Sequence, residues 1–155
     1  YQPELAIGAI GEDGEVYLNS FAREASGVTE EYIREERDHQ VAEIGRRSKL
    51  FRAVKPPADV TGRSVIVTDD GIATGSTMVA ALHVLNAQKP HEVIVAVPVA
   101  PPDTIEKLRP QCSRLECLLT PGDFEAIGQF YDDFRQVEDE EAVRLLRESR
   151  VKERS

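Results

Sequence analysis

The segment Val65-Ile66-Val67-Thr68-Asp69-Asp70-Gly71-Ile72-Ala73-Thr74-Gly75-Ser76-Thr77 joins an apolar run, two adjacent carboxylates and a small, hydroxyl-rich loop that opens into a helix. It constrains the fold more than any other stretch, because a β-branched run of this kind suits a strand buried on both faces in a parallel sheet. Asp69 and Asp70 then fall at the carboxyl end of that strand, where open α/β sheets place their ligands. Small residues from Gly71 to Thr77 let the backbone approach a ligand closely, and a helix starting near Ser76 offers free N–H groups and the positive end of its dipole. The pattern is that of a phosphate cradle with two carboxylates beside it.

Each part alone has a plainer reading. Asp-Asp-Gly at a strand end is often only a turn and a cap, and Ala-Thr-Gly-Ser-Thr can be an ordinary capped helix start. In register behind an apolar strand, the combination is far more specific. A P-loop reading fails because Gly71 and Gly75 have three residues between them instead of four and no Lys follows Gly75. The dinucleotide fingerprint fails too, since no Gly-x-Gly-x-x-Gly occurs in the chain.

Around this motif the elements alternate. Leu5 to Ile10 and Val16 to Leu18, separated by Gly11-Glu12-Asp13-Gly14, predict a β-hairpin. Thr29-Glu30-Glu31 opens a charged helical pattern to about Phe51 that carries Tyr32, Ile33, Val41 and Ile44 toward one side, and Lys55-Pro56-Pro57 breaks it. After the motif strand, helix and strand alternate through Ser76 to Gln88, Glu92 to Val99, Asp103 to Leu108 and Leu115 to Leu119, which indicates a parallel α/β sheet. Glu138 to Arg150 predicts a polar closing helix. Its four leading acids suit the dipole as a solvated cap, and residues 151–155 read as a tail.

With 155 residues the chain is one domain's worth, and 28 acids against 19 bases leave a formal charge of −9, which disfavours nucleic-acid or anionic-membrane binding. No apolar run reaches the ~18 residues of a membrane span and no signal peptide is evident, so a cytoplasmic protein is the expectation. Cys112 and Cys117, with no second pair and no nearby histidine, do not make a zinc site and read as reduced residues near a late strand.

The motif closely resembles the phosphoribosyl-pyrophosphate (PRPP) motif of the type I phosphoribosyltransferases: mostly apolar residues, two acids, then Ala-Thr-Gly-x-Thr. Leu5 to Ile10, Val97 to Pro102 and Ala126 to Phe134 also look like a bacterial branch of that family. The resemblance implies an α/β fold, an open, mostly parallel sheet with flanking helices behind the N-terminal hairpin, occupying residues 1–150. It implies that Asp69 and Asp70 hold the ribose hydroxyls as the catalytic pair and orient Mg²⁺, directly or through water. A PRPP site is implied over Thr68, Asp69, Asp70, Gly71, Ile72, Ala73, Thr74, Gly75, Ser76 and Thr77. The chemistry fits these residue types, since carboxylates accept hydrogen bonds from vicinal hydroxyls and a phosphate dianion needs N–H and O–H donors.

Implied with the family are transfer of a 5-phosphoribosyl group from PRPP to a base or other small nucleophile, release of pyrophosphate, and a homodimer. The other reading is a non-catalytic ribose-phosphate-binding regulatory module. Members carry a strand and a Pro-Arg-Gly-Gly-like loop before the position of Tyr1, so the domain is expected to be N-terminally incomplete, inactive in this form, and to expose apolar surface at a sheet edge. Arg46, Arg47, Lys49, Arg52 and Lys55 are candidates for closing over PRPP or form a solvated face, with Arg52 and Lys55 the better placed. Phe124, Phe130, Tyr131 and Phe134, four of nine aromatics, form either a small hydrophobic cluster or a surface that stacks on a planar acceptor. Pro98, Pro101 and Pro102 shape the site or end the strand.

Overall fold

The computed structural model describes residues 8–10, 16–18 and 29–152. The short strands β1 (Gly8–Ile10) and β2 (Val16–Leu18) pair antiparallel, Ala9 opposite Tyr17, as the hairpin pattern predicts. The turn expected at Gly11 to Gly14 lies outside the described residues. Helix α1 (Glu30–Arg52) stops before Pro56, whose ring fixes its own φ and bars the preceding residue from helical backbone.

Among the described residues three strands form the second sheet: β3 (Ser64–Thr68), β4 (Glu92–Val99) and β5 (Arg114–Leu119), in the order β3-β4-β5 and all parallel. Parallel neighbours need crossovers, supplied by α2 (Ser76–Ala87) and by α3 (Pro102–Leu108) with a 3₁₀ turn after it. Helix α4 (Asp139–Lys152) closes the described chain and carries Val151 and Lys152, two residues of the expected tail.

The core lies on one face of this sheet. Val93, Val95, Val97 and Val99 alternate inward along β4, and the first three cluster with Met78 and Leu82 of α2, Ile105 and Leu108 of α3, and Leu115 of β5. The other face is more open, with Ile66 67% and Leu118 84% exposed. The expectation that the motif strand is buried on both faces therefore does not hold among the described residues. Strand β3 has a described neighbour on only one edge, and the buried cluster draws on a single face of the sheet. Strand β4, flanked on both edges, is the central one of the described strands.

Of the stripe expected on α1, Val41 and Ile44 can be placed, and Val41 departs from it; the side chains of Tyr32 and Ile33 lie outside the described residues. Ile44 and Phe51 line an apolar groove of about 530 Å³ against Ala80, Val84 and Leu85 of α2, whereas Val41 is 41% exposed on another flank. Arg46 and Arg47 tie α1 to the start of α4. Arg46 reaches Glu43 at 2.7 Å and Asp139 at 2.5 Å, and Arg47 reaches the same two carboxylates at 3.0 and 3.4 Å. The hydrogen bond from Arg46 holds the Glu43 carboxyl down at about 2.

Both cysteines are free, and burial raises the Cys112 thiol. Among the described residues no helix is long and apolar enough to cross a membrane.

Candidate functional site

Thr68 ends β3, and the chain leaves the sheet through Asp69 and Asp70. Asp69 folds back on itself, one Oδ1 accepting the Asp70 N–H at 3.0 Å. The Ile72 N–H donates to the Val99 carbonyl at 2.9 Å, which fixes the loop to the end of β4. Gly71 is buried where a Cβ would lie 2.9 Å from Ile127 Cγ2 and 3.0 Å from Val99 Cγ1, so the close approach requires glycine. Ile72 joins the apolar core, leaving its backbone as the part that borders the loop.

Gly75 then adopts φ +85° and caps α2, a left-handed conformation that other residues take only with strain. Its own carbonyl accepts the Val79 N–H at 2.9 Å, while the Ser76 N–H faces the Thr74 hydroxyl at 3.5 Å. With Gly75 turned this way, the first turn of α2 opens toward the acidic pair.

Asp69, Asp70, Gly71, Ile72, Ala73, Thr74, Gly75, Ser76 and Thr77 line one cleft of about 270 Å³ together with Met78 and Ile127. Nine of the ten motif residues singled out in the sequence thus share a single concavity; Thr68 lies at its sheet side. The charge pattern within it is divided. Desolvation in the cleft raises Asp69 above its ordinary value, the neighbouring negative charge of Asp70 adds to the rise, and the Asp70 N–H opposes it. Among the described residues no lysine or arginine pairs with either aspartate.

A metal ion held here would meet oxygen donors only. No group of three or more His, Cys, Asp or Glu side chains converges among the described residues. Two carboxylates and nearby hydroxyls suit a hard cation that keeps several waters and takes its remaining ligands from substrate phosphates, as Mg²⁺ does.

Three residues outside the motif also build the site. Thr104 of α3, 7% exposed, donates from Oγ1 to the Ala73 carbonyl at 2.9 Å. Ile127 covers Gly71. Tyr131 donates its hydroxyl to the Asp70 carbonyl at 2.6 Å.

The segment bearing the last two is held by Gln129, whose Oε1 accepts the N–H groups of Glu125 and Ala126 and whose Nε2 donates to Asp123 O. Phe124 stacks on Phe130 with centroids 5.6 Å apart, and Tyr131 lies tilted against Phe134 at 5.2 Å, so the aromatic run forms a folded cluster beside the cleft. Its crowding of aromatics was visible in the sequence; Thr104 carried no such signal, because a threonine in a first helical turn usually serves its own helix.

None of the five basic candidates lines the cleft. Arg46 and Arg47 are engaged with Glu43 and Asp139, Lys49 lies on α1, and Arg52 borders the apolar groove, which Thr77 also lines. Pro98 lies within β4, whereas Pro101 and Pro102 end that strand and begin α3.

Comparison with known proteins gives consistent results. A family model described as phosphoribosyl transferase domain matches residues 4–135. Two Mycobacterium tuberculosis proteins, "Putative phosphoribosyl transferase MT0597" of strain CDC 1551 / Oshkosh and "Putative phosphoribosyl transferase Rv0571c" of strain ATCC 25618 / H37Rv, are each 38% identical over 146 residues. That alignment covers 94% of this chain, and the chain spans about a third (33%) of the length of these curated relatives. Among solved structures, the crystal structure of TT1426 from Thermus thermophilus is similar with a TM-score of 0.71 and 39% identity, covering 95% of this chain and 69% of that one.

Proposed function

This chain belongs to the phosphoribosyl transferase domain family, and from that premise we propose that its cleft binds PRPP for transfer of the 5-phosphoribosyl group to a base nitrogen or another small nucleophile. The observation that carries the reading is the convergence of the acidic pair and the small-residue loop on one cleft of about 270 Å³ at the carboxyl end of β3.

Each part has a task the chemistry defines. Asp69 and Asp70 accept hydrogen bonds from the ribose 2′- and 3′-hydroxyls, which fixes the sugar ring. The loop from Ala73 to Thr77 wraps the 5′-phosphate with backbone N–H groups and the hydroxyls of Thr74, Ser76 and Thr77, beside the positive end of α2. Asp69 and Asp70 would also hold Mg²⁺, which when bound neutralises charge on the departing pyrophosphate.

In the transfer, the bond between ribose C1 and the pyrophosphate oxygen breaks and a bond from C1 to the acceptor forms, the acceptor losing its proton to solvent. Positive charge gathers on the sugar as the bond breaks. A binding site lowers such a barrier chiefly by holding donor and acceptor in line, and little proton transfer by the protein is needed.

Calorimetric titration with PRPP, with and without Mg²⁺, tests the binding, and pyrophosphate release by the full-length protein across a panel of purine and pyrimidine acceptors tests the transfer. The expected result is Mg²⁺-dependent PRPP binding that ribose 5-phosphate competes away. Binding without release by the full-length protein from any acceptor would favour the regulatory module; absence of PRPP binding would overturn the reading.

A further inference from the structure

We propose that Thr104 is a positioning residue that aims the phosphate loop. It is the one polar residue in the buried set among the described residues, and its neighbours in α3, Ile105 and Leu108, are core side chains. A buried hydroxyl in such surroundings is costly unless it is bonded, and its bond goes to the Ala73 carbonyl, 31 residues away, at 2.9 Å.

The direction of that bond matters more than its strength. In a trans peptide the C=O and the following N–H point in opposite directions, and every described peptide is trans. With the Ala73 carbonyl drawn toward Thr104 in the core, the Thr74 N–H of the same peptide points the opposite way, and Thr74 lines the cleft. Released from Thr104, this peptide could turn over and present its carbonyl oxygen to the anion, so a donor would become a repulsive acceptor.

The methyl of the same side chain has a second contact. Thr104 Cγ2 lies 3.1 Å from where a Cβ on Gly75 would stand, so Thr104 packs beneath the left-handed residue that turns the chain into α2. One β-branched side chain therefore fixes both the peptide before Thr74 and the turn after it.

The inference rests on the proposal that the cleft holds a ribose 5′-phosphate. Ribose 5-phosphate and inorganic phosphate are titrated, at a temperature well below melting, into the wild type, T104V, which keeps the shape and loses the hydroxyl, and T104S, which keeps the hydroxyl and loses the methyl. T104V is expected to bind ribose 5-phosphate about tenfold more weakly, and T104S to fall within about threefold of the wild type. In ¹⁵N–¹H spectra, the Thr74 amide shift on adding phosphate should persist in T104S and vanish in T104V.

A merely structural threonine would lower melting in both variants and leave affinity and the amide shift unchanged, which would overturn the inference. Should T104V not fold, T104S and T104A, differing only in the hydroxyl, carry the same comparison. If the wild type binds no ribose 5-phosphate, the functional reading fails and this one with it. If the wild type binds and removal of the hydroxyl changes nothing, only the Thr104 assignment falls.

Discussion

Replacing Asp69 and Asp70 together by asparagine separates service to a ligand from service to the fold. Asp69 and Asp70 are surface residues at the end of β3, the Asp69 carboxyl partly desolvated by the cleft, and no lysine or arginine among the described residues pairs with them. The internal bond from the Asp70 N–H to Asp69 Oδ1, 3.0 Å long, survives in asparagine because an amide oxygen accepts it equally well. Exposed substitutions of this kind shift stability by about 0.5 kcal/mol or less, which in a chain of this size moves Tm by no more than about 2 °C.

The sign of the pH dependence follows from Asp69. Its folded value lies above its ordinary 3.8, so the folded state binds the proton more tightly than the unfolded one, and stability falls as pH rises from 3.8 through the folded value. The charged form is therefore a burden at neutral pH. The double variant should melt no lower than wild type at pH 7 and lose that relative advantage below 3.8.

Affinity should behave in the opposite way. A hydrogen bond to a charged acceptor contributes about 1.5–3 kcal/mol and a neutral one about 0.5–1.5, so each substitution costs about 1–1.5 kcal/mol of ribose binding. Together they remove about 2–3 kcal/mol, a loss of roughly 30- to 150-fold in PRPP affinity. Scanning calorimetry across pH and titration with PRPP and Mg²⁺ measure the two quantities on the same samples. A variant that melts several degrees lower yet binds PRPP as wild type does would refute the assignment and make the pair a structural cap.

Gly71→Ala places a methyl 2.9 Å from Ile127 Cγ2 and 3.0 Å from Val99 Cγ1, and the overpacking should cost about 1–3 kcal/mol in urea unfolding. Ile127→Ala in the same chain should return part of that loss, and strict additivity of the two changes would count against the contact. Tyr131→Phe removes the donor to the Asp70 carbonyl while keeping the ring against Phe134, so it should cost about 0.5–1.5 kcal/mol in stability or in PRPP binding, read by the same melting and titration assays.

The order strand, acid pair, loop and helix was legible in residues 65–77, as were the extents of β4 and α1 to within a residue or so. These features rest on short-range physics: β-branched side chains favour extended backbone, proline ends helices, and a glycine admits the positive φ that Gly75 adopts. That the candidate residues share one cleft was local for the same reason, since nine of them adjoin in the chain and line it.

What the tertiary structure decided is which groups stand behind that loop. An apolar run such as Val65 to Val67 reads the same whether it is central or at an edge, and only the strand order makes β4 the buried centre and leaves Ile66 exposed. Within the basic cluster, only the packing of α1 beside α4 assigns Arg46 and Arg47 a partner, Asp139, which no local pattern selects. Thr104 and Tyr131 reach the loop across 31 and 61 residues of sequence. No period or propensity selects partners at such separations; they are chosen when β4, α3 and the aromatic segment pack against the end of the sheet and bring their donors to the carbonyls of Ala73 and Asp70.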